Sequence, residues 1–262
     1  VKPCADILRL SEVTYRYPDH SWSDKDALRA VSLRLATGEG LVALTGPNGS
    51  GKTTLLRLIY GQLEPYSGGV FLSGRDVTAE PIHRRMGLAC VFQQADQGVC
   101  PELTIEENLC LMLMDAKPSL VRSLRTRSRV RDILDRSKEC VPAGRQSILT
   151  DLGNSLQKYP AEFSGGELQQ LCLLAVLLRR PPASLVLVDE PTLNLDQVNR
   201  QVCFDMLGVL AKSATILVAT HDSELIRRCP RTLALENGQL ISDRKDEAAC
   251  PGNNDLESRP EM

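Results

Sequence analysis

No apolar run in this 262-residue chain approaches the ~20 residues that a helix needs to cross a bilayer. One long uncharged stretch, residues 168–178, is too short and carries two glutamines. The chain is therefore not expected to span a membrane itself. Basic charge is not in excess either: 31 Lys and Arg against 33 Asp and Glu leave a formal charge of −2, so nucleic acid is not an expected partner. The nine cysteines include no Cys-x-x-Cys pair and lack the density of a disulfide scaffold. A reducing, cytoplasmic setting is expected, with the thiols acting as small buried apolar groups or inert surface thiols. Val1-Lys2-Pro3-Cys4 carries no apolar signal core. Glycine and proline, 18 and 15 residues, stand near average usage, which excludes collagen-like and low-complexity chains. What remains, 42% hydrophobic and 24% charged, is an ordinary globular composition able to bury a core.

Three short apolar runs, Leu41-Val42-Ala43-Leu44, Leu185-Val186-Leu187-Val188 and Ile216-Leu217-Val218-Ala219, predict strands buried on both faces. Helical stretches lie between them, among them 53–60, closed by Gly61, and 167–180, closed by Pro181-Pro182. Strands separated by helices imply an α/β fold with a mostly parallel sheet. In the first forty residues, the segments 7–10, 13–15 and 31–35 alternate instead, which predicts an antiparallel β layer with one wet face. From about residue 96 to 163 the strand signal fades. Thr104-Ile105-Glu106-Glu107 there has the spacing of a capping box, so this middle third is expected to be a helical insertion. No internal repeat is visible. One domain over 1–242 and a polar, mobile tail over 243–262 is the expected organisation.

Gly46-Pro47-Asn48-Gly49-Ser50-Gly51-Lys52-Thr53 has the pattern GxxxxGK[ST], follows a predicted strand and opens a predicted helix. Glycines at these positions let consecutive backbone N–H groups turn inward around phosphate oxygens, and the helix N-terminus adds partial positive charge. Lys52 would reach the β- and γ-phosphates, the Thr53 hydroxyl would ligate Mg²⁺, and Thr54 follows in the same cradle. A plain glycine-rich helix cap is the competing explanation, disfavoured because pattern and context agree. Further on, the strand at 185–188 runs straight into Asp189-Glu190. Adjacent carboxylates at a buried strand end call for a cation, since burying ionised groups uncompensated costs several kcal/mol. Asp189 is assigned to the metal and Glu190 to the attacking water as general base.

Phe163-Ser164-Gly165-Gly166-Glu167 completes a pattern that resembles the ATP-binding cassette (ABC) family, whose signature is usually written LSGGQ. The resemblance continues through Asp189-Glu190-Pro191-Thr192, a D-loop at Leu193-Asn194-Leu195-Asp196 and a switch-histidine segment at Ala219-Thr220-His221-Asp222, and covers roughly residues 7–242. It implies a RecA-like P-loop NTPase core, an antiparallel β subdomain and a helical subdomain. It also implies two ATP molecules sandwiched between two cassettes. Ser164, Gly165, Gly166 and Asp196 would then serve nucleotide held by the partner. By the same resemblance Tyr17 stacks on adenine, with Tyr15 the competitor. Gln93 is the Q-loop glutamine that senses Mg²⁺ or the lytic water, with Gln94 its neighbour, and His221 contacts the γ-phosphate.

Three departures stand out: Glu167 replaces the usual Gln, Gln170 stands where many members carry Arg or Lys, and Phe163 replaces Leu. A carboxylate near a triphosphate is repulsive unless it folds back onto its own helix, and Ser164 with Glu167 has the spacing to do so. The implied partners are a second cassette, transmembrane permease subunits and a substrate-binding lipoprotein, which puts the chain on the inner face of the cell membrane. Residues 92–109 resemble a bacterial importer group linked to lipoprotein-dependent uptake of aromatic amino acids or related small molecules, and by the same resemblance 96–103 falls where a coupling helix of the membrane subunit docks. The alternative is a soluble cassette acting as an ATP-dependent clamp. The acid-free run Arg122, Arg125, Arg127, Arg129 and Arg131 reads as a solvated helix face in preference to a lipid contact.

Overall fold

Alternation in the first forty residues produces two antiparallel strands, β1 (Asp6–Tyr15) and β2 (Leu28–Ala36). The computed structural model describes residues 5–18, 26–113, 130, 134, 147–179 and 181–245. The segments expected at 7–10 and 13–15 are one strand, interrupted by a register shift beside Ser11 and Glu12, where Glu12 takes a φ of 49°. With β4 (Ser67–Leu72) and β5 (Arg75–Asp76) they make a four-stranded antiparallel layer in the order β2-β1-β4-β5. Its inner face buries Leu8, Leu10, Val13 and Tyr15 of β1 with Val31, Leu33 and Leu35 of β2.

The three continuous apolar runs become β3 (Leu41–Thr45), β7 (Leu185–Asp189) and β8 (Thr215–Ala219). Together with β6 (Leu88–Val91), β9 (Arg231–Glu236) and β10 (Gln239–Lys245) they form a sheet ordered β10-β9-β3-β8-β7-β6. Every pairing is parallel except β10 with β9. Alternation across the sheet explains the unbroken apolar sequence. Val42, Leu44, Leu185, Leu187 and Leu217 pack towards α1 (Lys52–Tyr60) and the antiparallel layer. Ala43, Val186, Val188, Ile216 and Val218 pack with buried residues of α4 (Gly165–Leu178) and α5 (Gln197–Leu210). Both faces are covered, which is why the runs are apolar, with the polar Thr215 and Asp189 confined to strand ends.

Helix α4 is apolar almost all round because it is enclosed, packing against α5, β6 and α2 (Ile105–Met112). It begins two residues before the expected 167 and ends at Leu178, short of 180. Between β6 and α4 the described residues hold α2, α3 (Ser147–Asn154) and 3-10 turns, with no strand among them. Thr104 caps α2 with both arms of the box formed: its hydroxyl accepts from the Glu107 N–H, and Glu107 accepts from the Thr104 N–H at 3.0 Å. The arginine run lies outside the described residues, as does the chain after 245; β10 itself extends three residues past 242.

Two buried arginines pin the periphery. Arg85 donates to Leu58 O (2.9 Å) and Ile59 O (2.7 Å), the last carbonyls of α1, where a cation complements the helix dipole. Arg231 joins Glu39 (2.9 Å) and Asp243 (2.6 Å), tying β9 and β10 to the turn that precedes β3.

Candidate active site

Strand register gathers the functional segments. Leu44 of β3 and Asp189 of β7 both pair with Ala219 of β8, so the residues that follow these strands emerge side by side at one carboxyl edge of the sheet. Those residues are Gly46 onward, Glu190, and Thr220 with His221. Crevices at such an edge are where parallel α/β sheets bind ligands.

The loop from Gly46 to Thr53 wraps the N-terminus of α1. Gly46 has a φ of 145°, and a Cβ there would fall 2.0 Å from Leu235 O; Gly51 has a φ of 105°, and its Cβ would fall 2.7 Å from Ala27 O. Neither position admits a side chain. Gly51 is the N-cap of α1 and offers no side-chain acceptor, and no acid occupies the first turn, so the leading N–H groups are left for an external anion. Lys52 is buried, with Nζ donating to Gly46 O (2.7 Å) and Pro47 O (3.2 Å), which uses two of its three donors. The buried Ser50 hydroxyl has no hydrogen-bond partner among the described residues.

Asp189 and Glu190 are 5% and 8% exposed and turn to different partners. Burial raises the Asp189 pKa above its usual value, opposed by a hydrogen bond from Thr53, and the Glu190 charge raises it further. Asp189 Oδ1 is buried without a partner among the described residues. Glu190 takes a φ of 44°, costly for a non-glycine residue, while its N–H donates to Ala219 O at 2.8 Å. Its Oε2 lies 2.9 Å from His221 Nδ1.

A cavity of about 390 Å³ opens over the loop, walled by Asn48 to Thr54 on one side and by Tyr17, Gln93, Glu190 and His221 on the other. Tyr17 is 44% exposed at its rim and shares a 3.0 Å hydrogen bond with the Thr54 hydroxyl; Tyr15 is buried in the antiparallel layer, edge-on to the Tyr17 ring. Gln93 also lines a second cavity of about 180 Å³ that reaches Asp189, Thr53 and Arg57. Gln94 lines only the smaller one and accepts from Gln97 at 2.7 Å.

Ser164 is the N-cap of α4. Its hydroxyl accepts from the Glu167 N–H, and Glu167 Oε2 accepts from the Ser164 N–H (2.8 Å) and hydroxyl (2.7 Å). Glu167 therefore folds back, and its bonds to Ser164 hold its pKa below the ordinary value. Gly165 is bare: a Cβ added there would meet nothing within 4 Å. None of Ser164, Gly165, Gly166 or Asp196 lines the cavity. Asp196 instead caps α5, accepting from the Asn199 N–H at 2.8 Å.

Residues 28–193 match the family described as ABC transporter. The chain belongs to the ABC transporter family. It is 34% identical over 221 residues to the lipoprotein-releasing system ATP-binding protein LolD of Pseudomonas syringae pv. tomato, covering 82% of this chain and 88% of that protein. It is 31% identical over 242 residues to the glycine betaine/carnitine/choline transport ATP-binding protein OpuCA of Bacillus subtilis, covering 90% of this chain and 57% of that protein. A dimeric structure of MJ0796, a bacterial ABC transporter cassette, aligns with a TM-score of 0.73 at 25% identity, over 92% of this chain and 99% of that one. This is an ABC ATPase cassette, the ATP-binding subunit type, with the expected RecA-like fold.

The cassette brings its P-loop, Tyr17, Gln93, Glu190 and His221 to one cavity and leaves its signature and Asp196 outside it. Ala27, which no motif marks, and Leu193, the first residue of the D-loop segment, also wall the cavity. A divalent ion fits the donor set. Asp189 Oδ1 is an orphaned buried acceptor beside the Thr53 hydroxyl, and hard cations take oxygen ligands. No group of three His, Cys, Asp or Glu side chains among the described residues could hold a metal alone, so an ion here would depend on phosphate oxygens and water.

Proposed function

We propose that this cassette hydrolyses Mg·ATP at a head-to-tail interface between two copies, and that closure and opening of that pair drive solute import through separate transmembrane permease subunits at the cytoplasmic face of a membrane. The observation that carries the reading is the split site. One cavity holds the phosphate cradle, the acid and the histidine, while the bare signature turn of the same chain lies outside it. A second copy supplies what each cavity lacks.

In this reading the N–H groups of residues 48–54 and the Lys52 ammonium bind the phosphates, and the Tyr17 ring stacks on the base. Thr53, Asp189 and Gln93 would hold Mg²⁺, which would supply charge neutralisation at the phosphates. Glu190 accepts the proton of a water attacking the γ-phosphorus as the bond to the ADP oxygen breaks, and His221 steadies that carboxylate. Ser164, Gly165 and Gly166 face the γ-phosphate held by the partner, so loss of that phosphate loosens the pair.

Transport is supported by the names of LolD and OpuCA. Import, a substrate-binding lipoprotein and uptake of aromatic amino acids rest on the resemblance at 92–109. An ATP-dependent clamp without useful turnover is disfavoured by Glu190, whose placement at the cavity wall suits a base. Light scattering tests the pairing: the Glu190→Gln protein should double its molar mass on adding Mg·ATP, and a monomer at saturating nucleotide would contradict the proposal.

A further inference from the structure

Asn199 joins the signature turn to Asp196 of the D-loop, neither of which lines the cavity. It occupies the first turn of α5, where its backbone N–H donates to Asp196 Oδ1 at 2.8 Å and its side-chain Nδ2 donates to Asp196 Oδ2 at 3.0 Å. Its Oδ1 accepts from Gln170 Nε2 at 2.6 Å. The same amide lies over the signature turn: a Cβ on Gly166 would come within 3.2 Å of Asn199 Nδ2 and 3.3 Å of Leu195 Cδ2. Gly166 and Gln170 are four residues apart on one face of α4. One side chain thus fills the space beside the signature glycine and bonds both Gln170, one turn further along the helix, and the D-loop carboxylate.

We infer that Asn199 is a positioning residue which, through Gln170 and Asp196, locks the signature turn and the D-loop into a single edge, so that both meet the second copy's nucleotide site together. The inference rests on the dimeric reading proposed above. Neither Asn199 nor Gln170 lines the cavity, so neither is available to bind nucleotide within its own chain. Both oxygens of Asp196 are already held by Asn199, and the neutral Gln170 supplies the donor that Asn199 Oδ1 needs without drawing the carboxylate from the helix N-terminus it caps. This gives the unusual residue at 170 a specific task.

The test is sedimentation of the Glu190→Gln cassette with Mg·ATP, carrying Asn199→Ala, Gln170→Ala, both together, or Asn199→Asp. Losing a hydrogen-bonded amide at this junction should weaken ATP-driven dimerisation about tenfold for Asn199→Ala. Gln170→Ala should weaken it less, and the double variant no further than Asn199→Ala, because the two act through one contact. Asn199→Asp keeps an acceptor for Gln170 but sets a second carboxylate against Asp196, so it should weaken dimerisation at least as much. Melting temperature should fall by no more than a few degrees in any of these variants, and the affinity of the monomer for a fluorescent ATP analogue should not change. Unaltered dimerisation in the single variants, or a loss matched by a larger fall in melting temperature and falling monomer affinity, would overturn the inference. A Glu190→Gln parent that stays monomeric overturns the proposed function and this inference together.

Discussion

His221 Nδ1 and its own backbone N–H both reach one oxygen of Glu190, at 2.9 Å and 3.4 Å, leaving the other carboxylate oxygen uncommitted to that residue. The next residue anchors the arrangement. Asp222 accepts from Thr192 (3.0 Å) and Arg200 (2.7 Å) and caps α6 (Ser223–Arg227). Burial opposes its ionisation, yet these bonds pull its pKa down. Removing the imidazole frees Glu190 without emptying the cradle. His221→Ala should lower the turnover number about a hundredfold while ATP affinity stays within about threefold. Steady-state ATPase kinetics paired with a nucleotide-binding titration separates the two effects. An affinity loss as large as the turnover loss would count against this role.

Tyr17 is the residue at the rim, and its ring rather than its hydroxyl should matter. Stacking of a base on an aromatic is worth about 1–3 kcal/mol, so Tyr17→Ala should weaken ATP binding about tenfold or more. Tyr17→Phe keeps the ring and loses only the bond to Thr54, so it should stay within about threefold. Titration with ATP and with a base-free triphosphate would show whether the loss belongs to the base.

Glu167 is spent on its own helix, so the missing glutamine of the usual signature should have little catalytic consequence. Glu167→Gln preserves the capping spacing and should leave ATP turnover within about twofold. Glu167→Ala should cost about 1 kcal/mol of stability by urea unfolding. A markedly faster Glu167→Gln protein would mean that the carboxylate does reach the partner's phosphates.

The network around Arg231 predicts acid sensitivity far from the active site. For Glu39, burial resists ionisation but bonds from Lys245, the Ala36 N–H and Arg231 lower its pKa below 4.5; for Asp243 the bond from Arg231 lowers it below 3.8. The unfolded chain therefore takes up protons first on acidification. The stability these groups contribute is complete above about pH 4.5 and is lost as pH falls through the depressed folded values. Glu39→Gln should cost about 2 kcal/mol at pH 7, and the gap to wild type should shrink near pH 3. Urea unfolding across that range checks it, and a gap independent of pH would contradict the assignment.

Features governed by local spacing were legible before any fold was known. The phosphate loop follows from glycine positions and one lysine, the caps at Thr104 and Ser164 from a three-residue offset, and β3, β7 and β8 from apolar runs bounded by turns. Contacts that join distant segments were not. Nothing near Asn199 in the chain points to Gln170, 29 residues away, and nothing near Arg231 points to Glu39. Strand β4 was missed because Ser67-Gly68-Gly69 reads as a turn; Gly68 packs against the backbone at Ser11 and Glu12 so closely that a Cβ would fall 2.4 Å from Glu12 O. Tyr17 and Tyr15 are equivalent as letters and become distinct only when one is buried and the other faces the cavity.

In the proposed mechanism Glu190 is the base of an ATP-hydrolysing site completed by a second copy. Single-turnover hydrolysis of radiolabelled Mg·ATP by wild type and Glu190→Gln, each at saturating protein, tests it most directly. Loss of a positioned base should slow phosphate formation by about 10²-fold or more while the variant still binds ATP and pairs. A Glu190→Gln protein that hydrolyses ATP within about threefold of the wild-type rate would contradict the account.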